Sequence, residues 1–306
     1  MIDPYLQAIM DAMQASGFRW PDPIEPVALR ALLDAPMPAP PVEIAERRDV
    51  VIETPGGAIP ARLYHPAPGK RLPVTLFFHG GGWVVGTLET HDRLAAALAA
   101  RSGCALVSVA YRLAPEHPFP AAIEDALAVA ARLPALAAEW GVDADRYALA
   151  GDSAGGNIAA AAALELAQAA RPPLHQLLLY PVIEARFDTP SYRAAAEGGF
   201  LTPDQMRWFW DQYAPGALRD DPRAAPIRAT SLAGAPPATI LVAGNDPLHD
   251  EGVAYAERLR AAGVPVALHD FAGAIHGFAS LFGMAPIADE AVDVAAAALR
   301  AALRVR

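Results

Sequence analysis

Gly151-Asp152-Ser153-Ala154-Gly155 is a Gly-x-Ser-x-Gly pentapeptide. It lies between an apolar run, Tyr147-Ala148-Leu149-Ala150, that reads as a strand and an Ala-rich stretch that reads as a helix from Ala154 to about Ala169. A strand turning sharply into a helix lifts the hydroxyl of its central serine clear of the backbone, and flanking glycines remove Cβ atoms that so tight a turn would bring into collision. The helix aims its positive dipole end at the same point. A second glycine cluster, His79-Gly80-Gly81-Gly82-Trp83, ends the apolar run Pro73-Val74-Thr75-Leu76-Phe77-Phe78. Bare glycine N–H groups there suit a carbonyl oxygen that becomes an alkoxide during acyl transfer. Gly80, Gly81 and Ala154, the residue after the serine, are therefore the expected oxyanion donors. A phosphate-cradling loop is the rival reading, but no Lys-Ser or Lys-Thr pair follows the glycines.

Serine is a poor nucleophile near neutral pH and requires a base held by an acid. For a serine at a strand-to-helix turn of this kind, the chain order is serine, acid, histidine. The histidines downstream are His175, His249, His269 and His276. His276, in Ala274-Ile275-His276-Gly277-Phe278, follows the strand-like run Val266 to Phe271, where a loop can carry imidazole over the serine. His175 and His249 have surface readings, and His269 reads as a core histidine within a strand. Asp246, directly after the strand Ile240-Leu241-Val242, is the expected acid. Asp250 and Glu251 fall in the first turn of the next helix, where complementing the helix dipole accounts for them. The expected triad is Ser153, His276 and Asp246.

The remaining pattern supplies elements to hold these groups. Val50-Val51-Ile52 and Ala61-Arg62-Leu63-Tyr64 flank Pro55-Gly56-Gly57 as a hairpin. Strands then alternate with helices, among them Ala121 to Leu133, Gly252 to Ala262 and Asp289 to Leu303. Such alternation predicts an α/β fold, a mostly parallel central sheet with helices on both faces. Residues 183–226 break the rhythm with the aromatic segment around Trp208, Phe209, Trp210 and Tyr213, which reads as an insertion. With residues 1–45 it would cap the carboxyl edge of the sheet, where open α/β folds bind ligands. The catalytic core is then 46–182 and 227–306. Trp208, Phe209 and Trp210, with Trp83, are expected walls of the substrate pocket. The Pro-rich stretch Pro36 to Pro41 reads as an extended connector.

Composition narrows the function classes. The chain has 306 residues, 54% of them hydrophobic and 19% charged, which is enough for a sizeable core. Its net charge of −10 opposes binding to phosphate backbones, and Lys70 is its single lysine. Cys104 has no intramolecular disulfide partner and reads as a buried strand thiol. No run is long and apolar enough to span a membrane, and Met1-Ile2-Asp3-Pro4 lacks the start of a secretory signal, so the cytoplasm is the expected location.

Taken together, His79-Gly80-Gly81-Gly82-Trp83, Tyr111 to Pro120, Gly151 to Asn157, Asp246-Pro247-Leu248 and His276-Gly277-Phe278 resemble the bacterial hormone-sensitive-lipase-like esterases of the α/β-hydrolase superfamily. The resemblance runs from about Arg62 onward. It implies a helical cap, a small-molecule ester of short or medium acyl chain as substrate, no metal or organic cofactor, and a homodimer. Asn245 departs from the acidic or aromatic residue common in that family before the triad aspartate. Two other readings remain open on motifs alone: a catalytically silent receptor of the same fold, and an amidase or lactonase using the same triad.

Overall fold

The computed structural model describes residues 1–35, 39–196 and 199–305. The first half of the Pro-rich connector, residues 36–38, lies outside them. Among the described residues, eight strands form one sheet. They are β1 (Glu46–Thr54), β2 (Gly57–His65), β3 (Leu72–Phe78), β4 (Ala105–Val109), β5 (Val142–Asp152), β6 (His175–Leu179), β7 (Ala238–Asn245) and β8 (Val266–Ile275). Their order across the sheet is β1-β2-β4-β3-β5-β6-β7-β8. The hairpin β1–β2 and the pair β2–β4 are antiparallel, and every other pairing is parallel. The helices are α1 (Pro4–Ala15), α2 (Pro26–Leu33), α3 (Asp92–Ser102), α4 (Ala121–Trp140), α5 (Ala154–Glu165), α6 (Pro190–Ala195), α7 (Pro203–Tyr213), α8 (His249–Ala261) and α9 (Pro286–Ala302).

Alternating side chains of β3 serve two cores. Val74, Leu76 and Phe78 join the apolar layer under α4, α5 and α8, while Phe77 joins the layer under α3 and α9. A phenylalanine removed from water in this way contributes about 1.5–3 kcal/mol. Both faces are thereby covered, as a parallel sheet requires.

Two helices differ from the sequence reading. α4 continues past Leu133, through Pro134, to Trp140. Proline should stop a helix, but Ala137 and Trp140 beyond it are buried and Gly141 closes the end in a left-handed conformation. Tertiary burial here outweighs the lost hydrogen bond. α5 stops at Glu165, short of Ala169, where residues 168–170 are exposed. Exposed residues offer no buried face to prolong a helix.

The topology creates the site. β3 connects through α3 to β4 on one side, while β5 connects through α5 to β6 on the other. The carboxyl ends of β3 and β5 thus flank a crevice at the point where the winding reverses. Phe78 pairs with Gly151, so the glycine cluster and Ser153 emerge side by side.

Candidate active site

Ser153 lies between β5 and α5 with φ +52 and ψ −117, a conformation costly for a residue with a Cβ. Neighbouring contacts impose it. Its N–H donates to Leu179 (2.8 Å), and its carbonyl accepts from Asn157 and Val182 (3.1 Å each). Gly155 lets α5 pass directly beneath β3, since a Cβ there would lie 1.9 Å from the Phe78 carbonyl oxygen. The buried Asn157 amide donates to the carbonyls of Val182 and Ala224, fixing the first turn of α5.

β7 and β8 carry the other two groups. Asn245 pairs with Ile275 beyond an irregularity in the ladder, which sets Asp246 beside His276. The Asn245 amide donates to the carbonyls of Ala272 (3.0 Å) and Ala274 (3.3 Å), stitching the two strand ends together. Asp246 Oδ2 lies 2.7 Å from His276 Nδ1, and His276 Nε2 lies 2.9 Å from Ser153 Oγ. The other Asp246 oxygen accepts the Leu248 N–H at 2.9 Å. Because a carboxylate only accepts, Nδ1 carries the proton and Nε2 is left free to take one from the serine. The Tyr180 ring meets the imidazole edge-on, with centroids 5.2 Å apart.

The other histidines stand elsewhere. His175 is buried rather than superficial, bonded to Thr239 Oγ1, and burial pushes it down to about 4. His249 lies between Asp250 and Asp270. His269, in β8, is half-buried rather than core.

The glycine cluster corrects one expectation. The Gly80 N–H donates to Asp152 Oδ1 at 2.8 Å, so it is committed and not free for a substrate oxygen. Its carbonyl accepts from His79 Nδ1 at 2.7 Å. Burial pushes His79 down to about 4, so the ring is neutral and donates through Nδ1. The carbonyl of Gly80 and the N–H of Gly81 share one trans peptide and point in opposite directions. Anchoring the carbonyl on His79 therefore turns the Gly81 N–H away from that ring. Among the described residues, the N–H groups of Gly81 and Gly82 have no protein acceptor. The Ala154 N–H opens α5, where the first helical turn leaves its donors unsatisfied.

The chain matches known proteins along nearly its whole length. The profile of a family described as "alpha/beta hydrolase fold" matches residues 75–280. The chain belongs to the α/β-hydrolase family. The hydrolase is 42% identical to the esterase LipI of Mycobacterium tuberculosis, over 99% of its own length and 95% of the relative's. It is 39% identical to the carboxylic ester hydrolase LipN of the same organism, over 99% and 83% of the two chains. A thermostable esterase from Pseudomonas putida superposes with a TM-score of 0.94 at 38% identity, covering all of this chain and 98% of the other. The resemblance to bacterial hormone-sensitive-lipase-like esterases stands.

Above Ser153 and His276 the hydrolase encloses a cavity of about 270 Å³. Phe200, Leu201, Met206 and Phe209 come from the segment between β6 and β7, and Met13, Phe18, Trp20 and Leu33 from the first 35 residues. Val85 and Val182 complete the apolar lining. Phe209 lies against the Gly82 backbone, where a Cβ would come within 2.1 Å of its ring. Trp83, Trp208 and Trp210 are not among the lining residues. Trp83 is fully buried, stacked on Tyr213 at 4.1 Å and set against Trp210 at 4.9 Å. Trp208 is half-buried and packs edge-on against Phe209. These tryptophans support the wall from behind, because the α7 face that carries Trp210 and Tyr213 seats on the glycine loop. The N-terminal wall residues went unrecognised in the sequence, although the cluster Phe18-Arg19-Trp20 was their signal.

The segment Tyr111 to Pro120, without a role in the sequence, fastens these parts. Tyr111 OH donates to the His79 carbonyl at 2.8 Å, and the Phe119 N–H donates to Tyr213. Glu116 receives both terminal nitrogens of Arg30 at 2.7 Å each, while Arg30 also donates to the carbonyls of Val84 and Ala114. Among the described residues, no group of three or more metal-ligating side chains is present, and no helix is long and apolar enough to cross a membrane.

Proposed function

We infer that the hydrolase is a carboxylic ester hydrolase acting on esters of short to medium acyl chain, with Ser153 as nucleophile, His276 as general base and acid, and Asp246 as the group that orients the imidazole. The observation that carries this reading is the unbroken hydrogen-bonded chain Asp246–His276–Ser153 at the mouth of an apolar cavity. The ester hydrolase names of relatives near 40% identity support the same class.

In the reaction, His276 Nε2 removes the Ser153 proton as Oγ attacks the ester carbonyl. The alkoxide is received by the N–H groups of Gly81, Gly82 and Ala154, in place of the Gly80 donor expected from the sequence. His276 then protonates the departing alcohol, and the acyl chain stays on Ser153 against the apolar walls. Water, deprotonated by the same imidazole, releases the acid. A cavity of about 270 Å³ suits compact substrates. Residues 1–45 and 183–226 act as the cap that supplies its walls. Cytoplasmic residence and homodimerisation belong to the same reading and are checked by cell fractionation and sedimentation.

The test is Ser153→Ala assayed on p-nitrophenyl butyrate. Turnover is expected to fall by at least about 10³-fold while the melting temperature stays at the wild-type value. Undiminished turnover in that variant rejects the reading.

A further inference from the structure

We propose that Asp152 is a positioning residue for ester hydrolysis: bonded to the Gly80 N–H and faced by His91, it fixes the glycine-loop donors at their working distance from the Ser153 hydroxyl. The proposal rests on the reading of Ser153 as nucleophile.

Asp152 precedes Ser153 in the chain, yet its side chain turns toward β3 and is 4% exposed. Oδ1 takes the Gly80 N–H at 2.8 Å. Gly80 tolerates no side chain at this junction, because a Cβ would come within 2.4 Å of Asp152 Oδ2. One carboxylate therefore ties the residue before the nucleophile to the residue before the first free donor, Gly81. With the Gly80 carbonyl held by His79, both backbone polar groups of Gly80 are anchored. The next two peptides, which carry the Gly81 and Gly82 N–H groups, start from a fixed point.

A buried anion so close to a developing alkoxide would raise the barrier if it stood alone. His91 supplies the counterweight, with Nε2 3.5 Å from Asp152 Oδ2. Its tautomer follows from its neighbours. The carboxylate only accepts, so Nε2 carries the hydrogen that faces it, and Nδ1 accepts from the Thr90 hydroxyl at 2.9 Å. Burial works to raise the Asp152 pKa, but His91, the Gly80 N–H and His79 together outweigh it and hold the carboxyl below its ordinary range. Asp152 is too deeply committed to act as a proton carrier. Its effect on the reaction runs through the geometry of Gly80.

Four variants test this: Asp152→Leu, Asp152→Asn, Asp152→Ser and Ser153→Ala. Each is measured for melting temperature, for kcat and KM on p-nitrophenyl butyrate, and for affinity toward an alkyl trifluoromethyl ketone. Such a ketone binds by adding the serine to form a tetrahedral oxyanion. Asp152→Leu has no acceptor for Gly80, and kcat is expected to fall by roughly 10²–10³, the usual cost of losing one oxyanion donor, with KM little changed. Trifluoromethyl ketone affinity should fall in parallel. Asp152→Asn keeps an acceptor oxygen and should recover kcat to within about tenfold of wild type, as a neutral acceptor replaces a charged one. If the leucine variant does not fold, Asp152→Ser, whose hydroxyl is too short to reach Gly80, carries the same expectation.

Wild-type kcat in a folded leucine or serine variant overturns the proposal. So does a loss confined to KM, or an asparagine variant as impaired as the leucine one. Undiminished turnover in Ser153→Ala rejects the underlying esterase reading instead. Loss of turnover there, with the Asp152 variants at wild-type kcat, rejects the positioning role alone.

Discussion

Phe209→Ala should lengthen the acyl chains that the enzyme accepts. The Phe209 ring is 5% exposed, rests on the Gly82 backbone and borders the cavity above Ser153. Truncating a buried phenylalanine costs about 3–5 kcal/mol, and one side of this ring already meets open space, so about 3 kcal/mol is expected. For a large domain that lowers the melting temperature by roughly 6–12 °C. The vacated volume adds to a cavity of about 270 Å³ that Ser153 also borders. Each methylene moved from water onto apolar walls contributes about 0.8 kcal/mol, about fourfold in kcat/KM. Roughly two to three further methylenes in the place of the ring would raise kcat/KM for the longest substrates by roughly 15–60-fold relative to acetate. The assay is kcat/KM for p-nitrophenyl esters from acetate to decanoate, at a temperature where circular dichroism shows both proteins folded. A variant profile that superimposes on the wild-type profile after scaling refutes the assignment of Phe209 as a wall.

Gly155→Ala would drive a methyl group to 1.9 Å from the Phe78 oxygen and 2.6 Å from the His79 oxygen, backbone atoms that cannot yield without moving β3 from α5. A displacement of about 1 Å at the nucleophile costs about 10²-fold in turnover, so a folded variant should lose at least that much; wild-type kcat contradicts it. Glu251 in α8 accepts the N–H groups of Ile183 and Glu184, where the chain leaves the sheet for the cavity wall. Burial raises its pKa well above 4.5, with the Asp246 and Glu184 charges adding to the shift against those N–H groups. The folded protein thus keeps a proton that the unfolded chain releases above about 4.5, and the stability this group contributes is lost as pH rises. Glu251→Gln lacks that ionisation, so its melting temperature relative to wild type should climb steadily from pH 5 to pH 8; a pH-independent difference contradicts it.

What the sequence made legible follows from what short-range chemistry encodes. Gly151, Gly155 and the cluster at residues 80–82 are read directly, because only glycine fits such close backbone approaches. Ser153, Asp246 and His276 announce themselves through their sites at strand ends, and they meet in one hydrogen-bonded chain. The commitment of the Gly80 N–H to Asp152 was hidden, since it depends on how two strands distant in sequence are paired. Trp83 and Trp210 were misread as walls for a related reason: an aromatic-rich segment advertises burial but not which side of a layer each ring takes. Pro134 shows the same limit, as local propensity yields to Trp140 burying itself nearly two turns later.

The reversal of winding between β3 and β5 separates two kinds of inheritance. Reactive atoms hang from strand ends whose alignment is secured by ladders buried on both faces. The surfaces that judge a substrate hang from segments that leave the sheet at its rim and rejoin it there. Such segments can be lengthened, exchanged between cousins or replaced outright with little penalty in pairing. A lineage built this way can turn to new esters rapidly while its reactive atoms stay where they are.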